Sequence, residues 1–181
     1  TDSQRLDWLR LIRSENVGPA TFRALVNQFG GAEAAIEALP ALSRRGGRAQ
    51  EIRLCTATEA EAEIEAADRL GAQLVALGEP GYPPALAQVD APPPLIFVKG
   101  RLELADMPIV AMVGARNGSA VGQKFTRQIA SALGLEGFVI ASGLARGIDT
   151  AAQDHVFFEK ILAEQGPVWL KLVRDLGLEP Q

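Results

Sequence analysis

The chain has one cysteine, Cys55, and one histidine, His155, in 181 residues. An internal disulfide is therefore excluded. So is a structural zinc site built only from Cys and His, which needs about four ligands. A reducing, cytoplasmic setting follows as the expectation. Long apolar runs are missing too: none reaches the roughly 18 residues of a membrane span. Thr1-Asp2-Ser3-Gln4 is polar with no apolar core behind it, so neither a membrane association nor a secretory leader is expected. Positive charge is not in excess: 18 Lys and Arg stand against 22 Asp and Glu, a net charge of −4. A strongly basic nucleic-acid coat is excluded, so any nucleic-acid site must be local. What is present is ordinary globular composition, 48% hydrophobic and 22% charged, which suits one large domain or two small ones.

Residues 1 to about 66 read as helical. Leu6, Leu9 and Ile12 recur at helical spacing, with Trp8 and Leu11 broadening the stripe. Gly18-Pro19 breaks the chain, and Pro19 suits the first turn of a new helix, where its missing N–H costs nothing. Phe22, Leu25, Val26 and Phe29 follow on one face until Gly30-Gly31 stops them. An alanine-rich helix is expected from Ala32 to Leu39, and Thr58 with Glu61 fits a capping box opening a fourth helix that stops at Gly71. Between them, Arg44-Arg45-Gly46-Gly47-Arg48 reads as a solvated loop, or as a phosphate contact in which Arg44, Arg45 and Arg48 fork onto oxygens. Val17-Gly18-Pro19-Ala20 resembles the turn of a helix-hairpin-helix or SAM-like module, in which Phe22 and Phe29 are core residues.

From Gln73 the texture becomes α/β. Leu74–Leu77, Leu95–Val98, Ile109–Val113 and Phe138–Ala141 are short continuous apolar runs, as in strands covered on both faces. A helix with Phe125, Ile129, Ala132 and Leu133 on one face separates the last two, making a βαβ unit and hence a parallel pair.

Two glycine-containing loops each join a strand to a helix. In Val113-Gly114-Ala115-Arg116-Asn117-Gly118-Ser119-Ala120-Val121-Gly122 the glycines fall at 114, 118 and 122. This is neither the G-x-G-x-x-G dinucleotide fingerprint nor a Walker loop. It offers free amides, Arg116 and Ser119, which suit a phosphate; the alternative is a tight turn with a surface arginine. Ser142-Gly143-Leu144-Ala145-Arg146-Gly147-Ile148-Asp149 is the second loop, with Asp149 a candidate N-cap. Arg146 either joins Arg116 over a shared crevice or pairs with a carboxylate. A dinucleotide enzyme would carry an acid for the ribose where Ser142-Gly143 stands. Catalytic constellations are poor: Ser142 is outside G-x-S-x-G, His155 has no nucleophile beside it, and Cys55, on an expected helix, reads as buried filler.

Gly81-Tyr82-Pro83-Pro84-Ala85-Leu86, Ala91-Pro92-Pro93-Pro94-Leu95-Ile96-Phe97-Val98-Lys99-Gly100 and the two loops closely resemble, in order and spacing, the bacterial DNA-processing DprA (Smf) family. Asn16-Val17-Gly18-Pro19 and Phe29-Gly30 resemble its SAM-like N-terminal domain. The resemblance covers about residues 1–153. It implies a SAM-like helical domain over 1–66 and the first half of a Rossmann-like parallel sheet over 67–153, with an unmatched tail over 154–181 that reads as helical through Phe158, Ile161 and Leu162. It also implies a protein not known for turnover, which binds and protects incoming single-stranded DNA in natural transformation. Such a protein helps load the RecA recombinase and forms a homodimer in the full-length parent. On this reading Gly114, Arg116, Asn117, Ser119, Gly143 and Arg146 meet DNA phosphates, Arg44, Arg45 and Arg48 are secondary contacts, and no cofactor, metal or catalytic residue is expected. Sequence-blind binding of a single strand needs phosphate donors more than base readers, which agrees.

The family follows Gly-Ile-Asp with Ala-Ala-His, further strands and an Arg-Arg-Asn-Arg motif; here Gln153 replaces the histidine and the rest is not matched. A truncation, a frameshift and missing interior residues all fit that departure. The competing functional reading is a nucleotide-binding, phosphoribohydrolase-like enzyme on a related scaffold, which would need an acid or nucleophile at a strand tip.

Overall fold

The fold is that of a computed structural model, which describes residues 2–45, 52–143, 147–152 and 161–163. These fall into two compact units: residues up to Lys99 together with Ile161–Ala163, and residues from Gly100 onward through the second loop. Each is described by itself.

The first unit opens with α1 (Asp2–Arg13), α2 (Pro19–Phe29), α3 (Ala32–Arg45) and α4 (Ala57–Arg69). Leu9 and Leu11 of α1 are fully buried, with Ile12, Phe22, Leu25, Ala35, Ile36 and Leu39 in the same cluster. Trp8 meets Phe22 edge to face, with ring centroids 5.3 Å apart. Pro19 sits in the first turn of α2, and Gly30 ends it in the left-handed region at φ 78°, its N–H donating to Val26 O at 2.9 Å.

Two local expectations are corrected here. The helix expected to end at Leu39 continues through Pro40 to Arg45. A proline inside a helix forfeits one hydrogen bond, but four apolar residues before it, Ala32, Ala35, Ile36 and Leu39, are buried and hold that helix to the core. Arg44 and Arg45 therefore stand in a last helical turn, not in a loop. The capping box is Thr56 with Glu59, not Thr58 with Glu61: the Glu59 N–H donates to Thr56 Oγ1 and the Thr56 N–H to Glu59 Oε2. Both pairs satisfy the sequence pattern, and the buried residue before the cap decides between them. Cys55 precedes the helix and lies outside it, 5% exposed, its N–H donating to Ser14 Oγ at 3.1 Å. That burial, aided by the charges of Glu59 and Glu63, pushes its thiol pKa up, which makes it a poor nucleophile.

Strands β1 (Ala72–Ala76) and β2 (Leu95–Lys99) pair antiparallel, Leu74 opposite Phe97. The short α5 (Pro84–Ala87) lies between them in sequence. Tyr82 is buried and its hydroxyl donates to Pro93 O at 2.7 Å, so the Gly-Tyr-Pro-Pro and Ala-Pro-Pro-Pro segments are joined by one bond. Burial pushes the Tyr82 pKa up to about 12. Arg5 grips Glu79 with two bonds of 3.0 Å, and the Ala76 N–H donates to the same carboxylate at 2.9 Å. Ile161–Ala163 forms β5, antiparallel to β2. Ile161 and Leu162, expected in a helix, are thus in a strand: the apolar triplet, led by β-branched Ile161, pairs along the edge of β2. The remainder of the expected tail, and His155, lie outside the described residues.

In the second unit a 3-10 turn (Leu102–Asp106) precedes β3 (Ile109–Ala111), α6 (Ala120–Leu135), β4 (Val139–Ala141) and α7 (Ile148–Ala151). Strands β3 and β4 are parallel, Val110 opposite Ile140, so the expected βαβ unit is present, while β1 and β2 belong to a separate antiparallel sheet. Ile140, Ala130 and Ala152 form its small core, with Val110, Met112 and Leu133 against them. The buried face of α6 carries Thr126 and Ala130. Thr126 is tolerated there because its hydroxyl donates to Gly122 O at 2.9 Å. Ile129 and Leu133 are half-buried, but Phe125 is 61% exposed and Ala132 is exposed, so the expected apolar face is rotated.

Candidate nucleic-acid interface

Because β3 and β4 run parallel and side by side, the loops that follow them leave from the same end of the sheet. The ladder continues one step, Met112 N–H to Ala141 O at 2.8 Å, and there the loops begin. They are then fastened to each other by three kinds of contact.

The first is steric. A side-chain carbon placed on Gly114 would lie 2.6 Å from Ile148 Cβ and Cγ2, and one on Gly118 would lie 2.9 Å from Ile148 Cδ1. On Gly122 it would lie 3.4 Å from the same Cδ1. The three glycines spaced by four therefore form a seat for one isoleucine. The second contact is backbone on backbone. Gly147 has φ 93°, and a Cβ there would be 2.3 Å from Ala115 O and 2.5 Å from Arg116 O, so glycine is required on two counts. The Ile148 N–H also donates to Ala115 O at 3.3 Å. The third is polar. Asp149, 5% exposed, accepts from the Gly114 N–H at 3.1 Å through Oδ1, while the Ser142 hydroxyl donates to Asp149 O at 3.0 Å. Asp149 lies inside α7 and ties the neighbouring loop; it is not the N-cap of its own helix.

Held in this way, the first loop turns its polar side chains outward. Arg116, Asn117 and Ser119 are all exposed. Ser119 is the N-cap of α6, its Oγ accepting from the Gly122 N–H at 3.1 Å, which leaves its hydroxyl proton free to donate. Gln123 closes the loop from behind, Nε2 to Gly118 O at 3.0 Å. Arg116 makes no ion pair among the described residues. Arginines of the first unit contrast with it: Arg5 pairs with Glu79, Arg10 with Asp7, Arg13 with Glu63 and Arg53 with Glu59. Arg44 and Arg45 are exposed at the end of α3 in that unit. Gly143 is exposed, with Asp149 Oδ2 3.1 Å from where its Cβ would be. Arg146 and Arg48 lie outside the described residues.

Sequence reasoning brought Gly114, Arg116, Asn117, Ser119 and Gly143 to one end of one sheet but missed Ile148 and the cross-loop role of Asp149. The signal was available: glycines at 114, 118 and 122 keep a constant spacing of four, which marks a surface something presses against.

The loop after β3 thus presents Arg116, Asn117 and Ser119 on a parallel βαβ unit, with no nucleotide fingerprint. Comparison with known proteins gives the class, a DNA recombination mediator. Residues 2–66 match the DprA-like N-terminal HHH domain, and residues 73–162 match DNA recombination-mediator protein A. The chain belongs to the DprA/Smf family of DNA-processing proteins. The family match runs to residue 162, past the point at which the motifs stop being legible. Protein Smf of Synechocystis sp. is 31% identical over 161 residues, 83% of this chain and 40% of that protein. DNA processing protein DprA of Streptococcus pneumoniae is 46% identical over 71 residues, 39% of this chain and 25% of that one. Its X-ray structure shares a TM-score of 0.49 at 26% identity, over 82% of this chain and 50% of that one. A structure of DNA processing protein A from Helicobacter pylori, described for its single-stranded DNA binding mode, gives a TM-score of 0.40 at 32% identity, over 45% of this chain and 38% of that one. The chain spans less than half the length of these curated relatives. No described helix is long and apolar enough to cross a membrane.

Proposed function

We propose that this chain binds single-stranded DNA by its sugar–phosphate backbone, with little sequence preference. It would act as the DNA-gripping part of a longer cytoplasmic protein that protects incoming strands and helps load RecA in natural transformation. One observation carries the reading: Arg116 is an exposed guanidinium without an ion pair among the described residues, on a loop whose backbone Ile148, Gly147 and Asp149 fix. A backbone already held in place adds little ordering cost when the arginine it carries meets a phosphate. The proposed phosphate contacts are Arg116, Asn117, the Ser119 hydroxyl and the backbone at Gly114 and Gly143, with Arg146 proposed as a second guanidinium and Arg44, Arg45 and Arg48 as secondary contacts. Family membership supports the DNA-processing role, and the H. pylori relative is described as binding single-stranded DNA. RecA contact and homodimerisation are proposed for the full-length parent.

The role is one of binding, without turnover. A nucleotide-cleaving enzyme would need an available acid near the strand tips, and among the described residues Asp149 there is buried and engaged by Gly114. Fluorescence anisotropy of a labelled oligo-dT, competed with duplex DNA and with free nucleotides, tests the proposal. Preference for the single strand is expected, with an affinity that falls as salt rises because phosphate contacts dominate. Equal affinity for duplex and single strand, or displacement by free nucleotide, would refute it.

A further inference from the structure

The outward face of α6 is not built like an ordinary solvated helix face. Val121 is 78% exposed, Phe125 61% and Leu135 88%, and Lys124 and Gln128 are exposed on the same side. Charge on this stretch is of one sign. From Met107 to Leu135 the cations are Arg116, Lys124 and Arg127, and there is no Asp or Glu, in a chain whose net charge is −4. Lys124 makes no ion pair among the described residues.

Two kinds of occupant suit an exposed apolar and basic helix face: another helix, or a polyanion with bases. A second copy of this chain would bring Lys124 and Arg127 toward their own counterparts, and α6 carries no acid to relieve the repulsion. A single strand of DNA supplies the missing negative charge and flat apolar surfaces together. Stacking on an aromatic ring is tolerant of sequence, and a neighbouring cation holds the adjoining phosphate. Position agrees. Lys124 and Phe125 lie five and six residues beyond the Ser119 cap, about 8 Å along the axis at roughly 1.5 Å per residue. That places them in the first turns of the helix that leaves the Arg116 loop.

We infer that α6 continues the DNA track: a base stacks on Phe125 and the next phosphate meets Lys124, so the strand runs from the Arg116 loop down the outside of this helix. The inference rests on the proposed function and names the path of the strand within it.

The test compares the full chain with Phe125→Leu, Lys124→Gln and Arg116→Ala, using labelled oligo-dT of about 20 nucleotides, and adds light scattering without DNA. Both α6 changes are at exposed positions, and circular dichroism checks that each variant folds. Phe125→Leu should weaken binding about fivefold or more, since the ring is lost but the bulk is kept. Lys124→Gln should lower the slope of log affinity against log salt by about one, the signature of one phosphate contact. If Arg116→Ala weakens binding while both α6 variants bind as the parent does, the track is wrong and the proposed function stands. Should the wild-type chain fail to bind oligo-dT, both are overturned. A dimer mass that Phe125→Ser abolishes, with DNA binding unchanged, would show the face to be a helix seam between copies and would also overturn the inference.

Discussion

Gly114 and Ile148, 34 residues apart, touch so closely that no side chain fits between them: a Cβ on the glycine would stand 2.6 Å from the Cβ of the isoleucine. The loop after β3 and the loop after β4 are therefore one object. An arginine on the first is held by packing contributed by the second.

The coupling should be visible in a double-mutant cycle at the neighbouring glycine. Gly118→Ala forces its methyl to 2.9 Å from Ile148 Cδ1 and should cost about 1–3 kcal/mol in urea unfolding. Ile148→Ala removes the obstructing atoms, so the double variant should be less destabilised than the sum of the singles by roughly 1 kcal/mol. Additive losses would mean that the two side chains do not share the seat.

Asp149→Ala should loosen the first loop without touching Arg116. The Gly114 N–H loses its acceptor, and its hydrogen exchange should accelerate. DNA affinity should fall because Arg116 is then less fixed. Asp149→Asn keeps an acceptor oxygen and should restore most of both. Unchanged exchange at Gly114 in Asp149→Ala would remove Asp149 from the account.

Tyr82→Phe deletes one hydroxyl from a buried ring and leaves Pro93 O without that donor. A loss of about 1 kcal/mol is expected, the usual value of one such bond. Full stability in the variant would show that the two proline-containing segments are joined by packing alone.

Glu79 gives a pH dependence with a definite sign. Burial works to raise its pKa, but the Ala76 N–H and the Arg5 guanidinium outweigh it and hold the carboxyl below its ordinary 4.5. A lowered folded value means that the stabilisation is complete above about 4.5 and is lost as pH falls through the folded value. Glu79→Gln should therefore have a lower Tm than the parent at pH 7, by a modest amount because both partners are partly exposed, and the gap should narrow as pH falls below about 4.5. A gap that stays constant with pH would point to lost packing, not lost charge.

Local signals in the sequence were the reliable ones. Pro19 and Gly30 bound α2 because each acts through its own backbone, whatever surrounds it. The parallel β3–α6–β4 unit was legible because alternating apolar runs and a glycine loop leave few other arrangements. Features that depend on a distant partner were not legible. Thr58 and Glu61 fit a capping box as well as Thr56 and Glu59 do, and only the seat of Cys55 against Ser14 selects the earlier pair. Phe125 looked like core because it is apolar, whereas Thr126 is buried because Gly122 O satisfies its hydroxyl. At the candidate site, glycine reads alike whether a ligand or an isoleucine approaches it, so Arg116 could be singled out while Ile148 could not.

The Arg5–Glu79 pair has a kinetic meaning as well. It closes a loop of 74 residues, and at (3/2)RT ln n such a closure costs about 4 kcal/mol of chain entropy beyond a fixed constant. A contact so distant in sequence, and partly exposed, is expected to form after the folding barrier has been crossed. Weakening it should then leave the folding rate nearly unchanged and raise the unfolding rate by almost the whole loss. The pair would act as a latch, setting how long the helices and the β1–β2 pair stay together and not how quickly they meet.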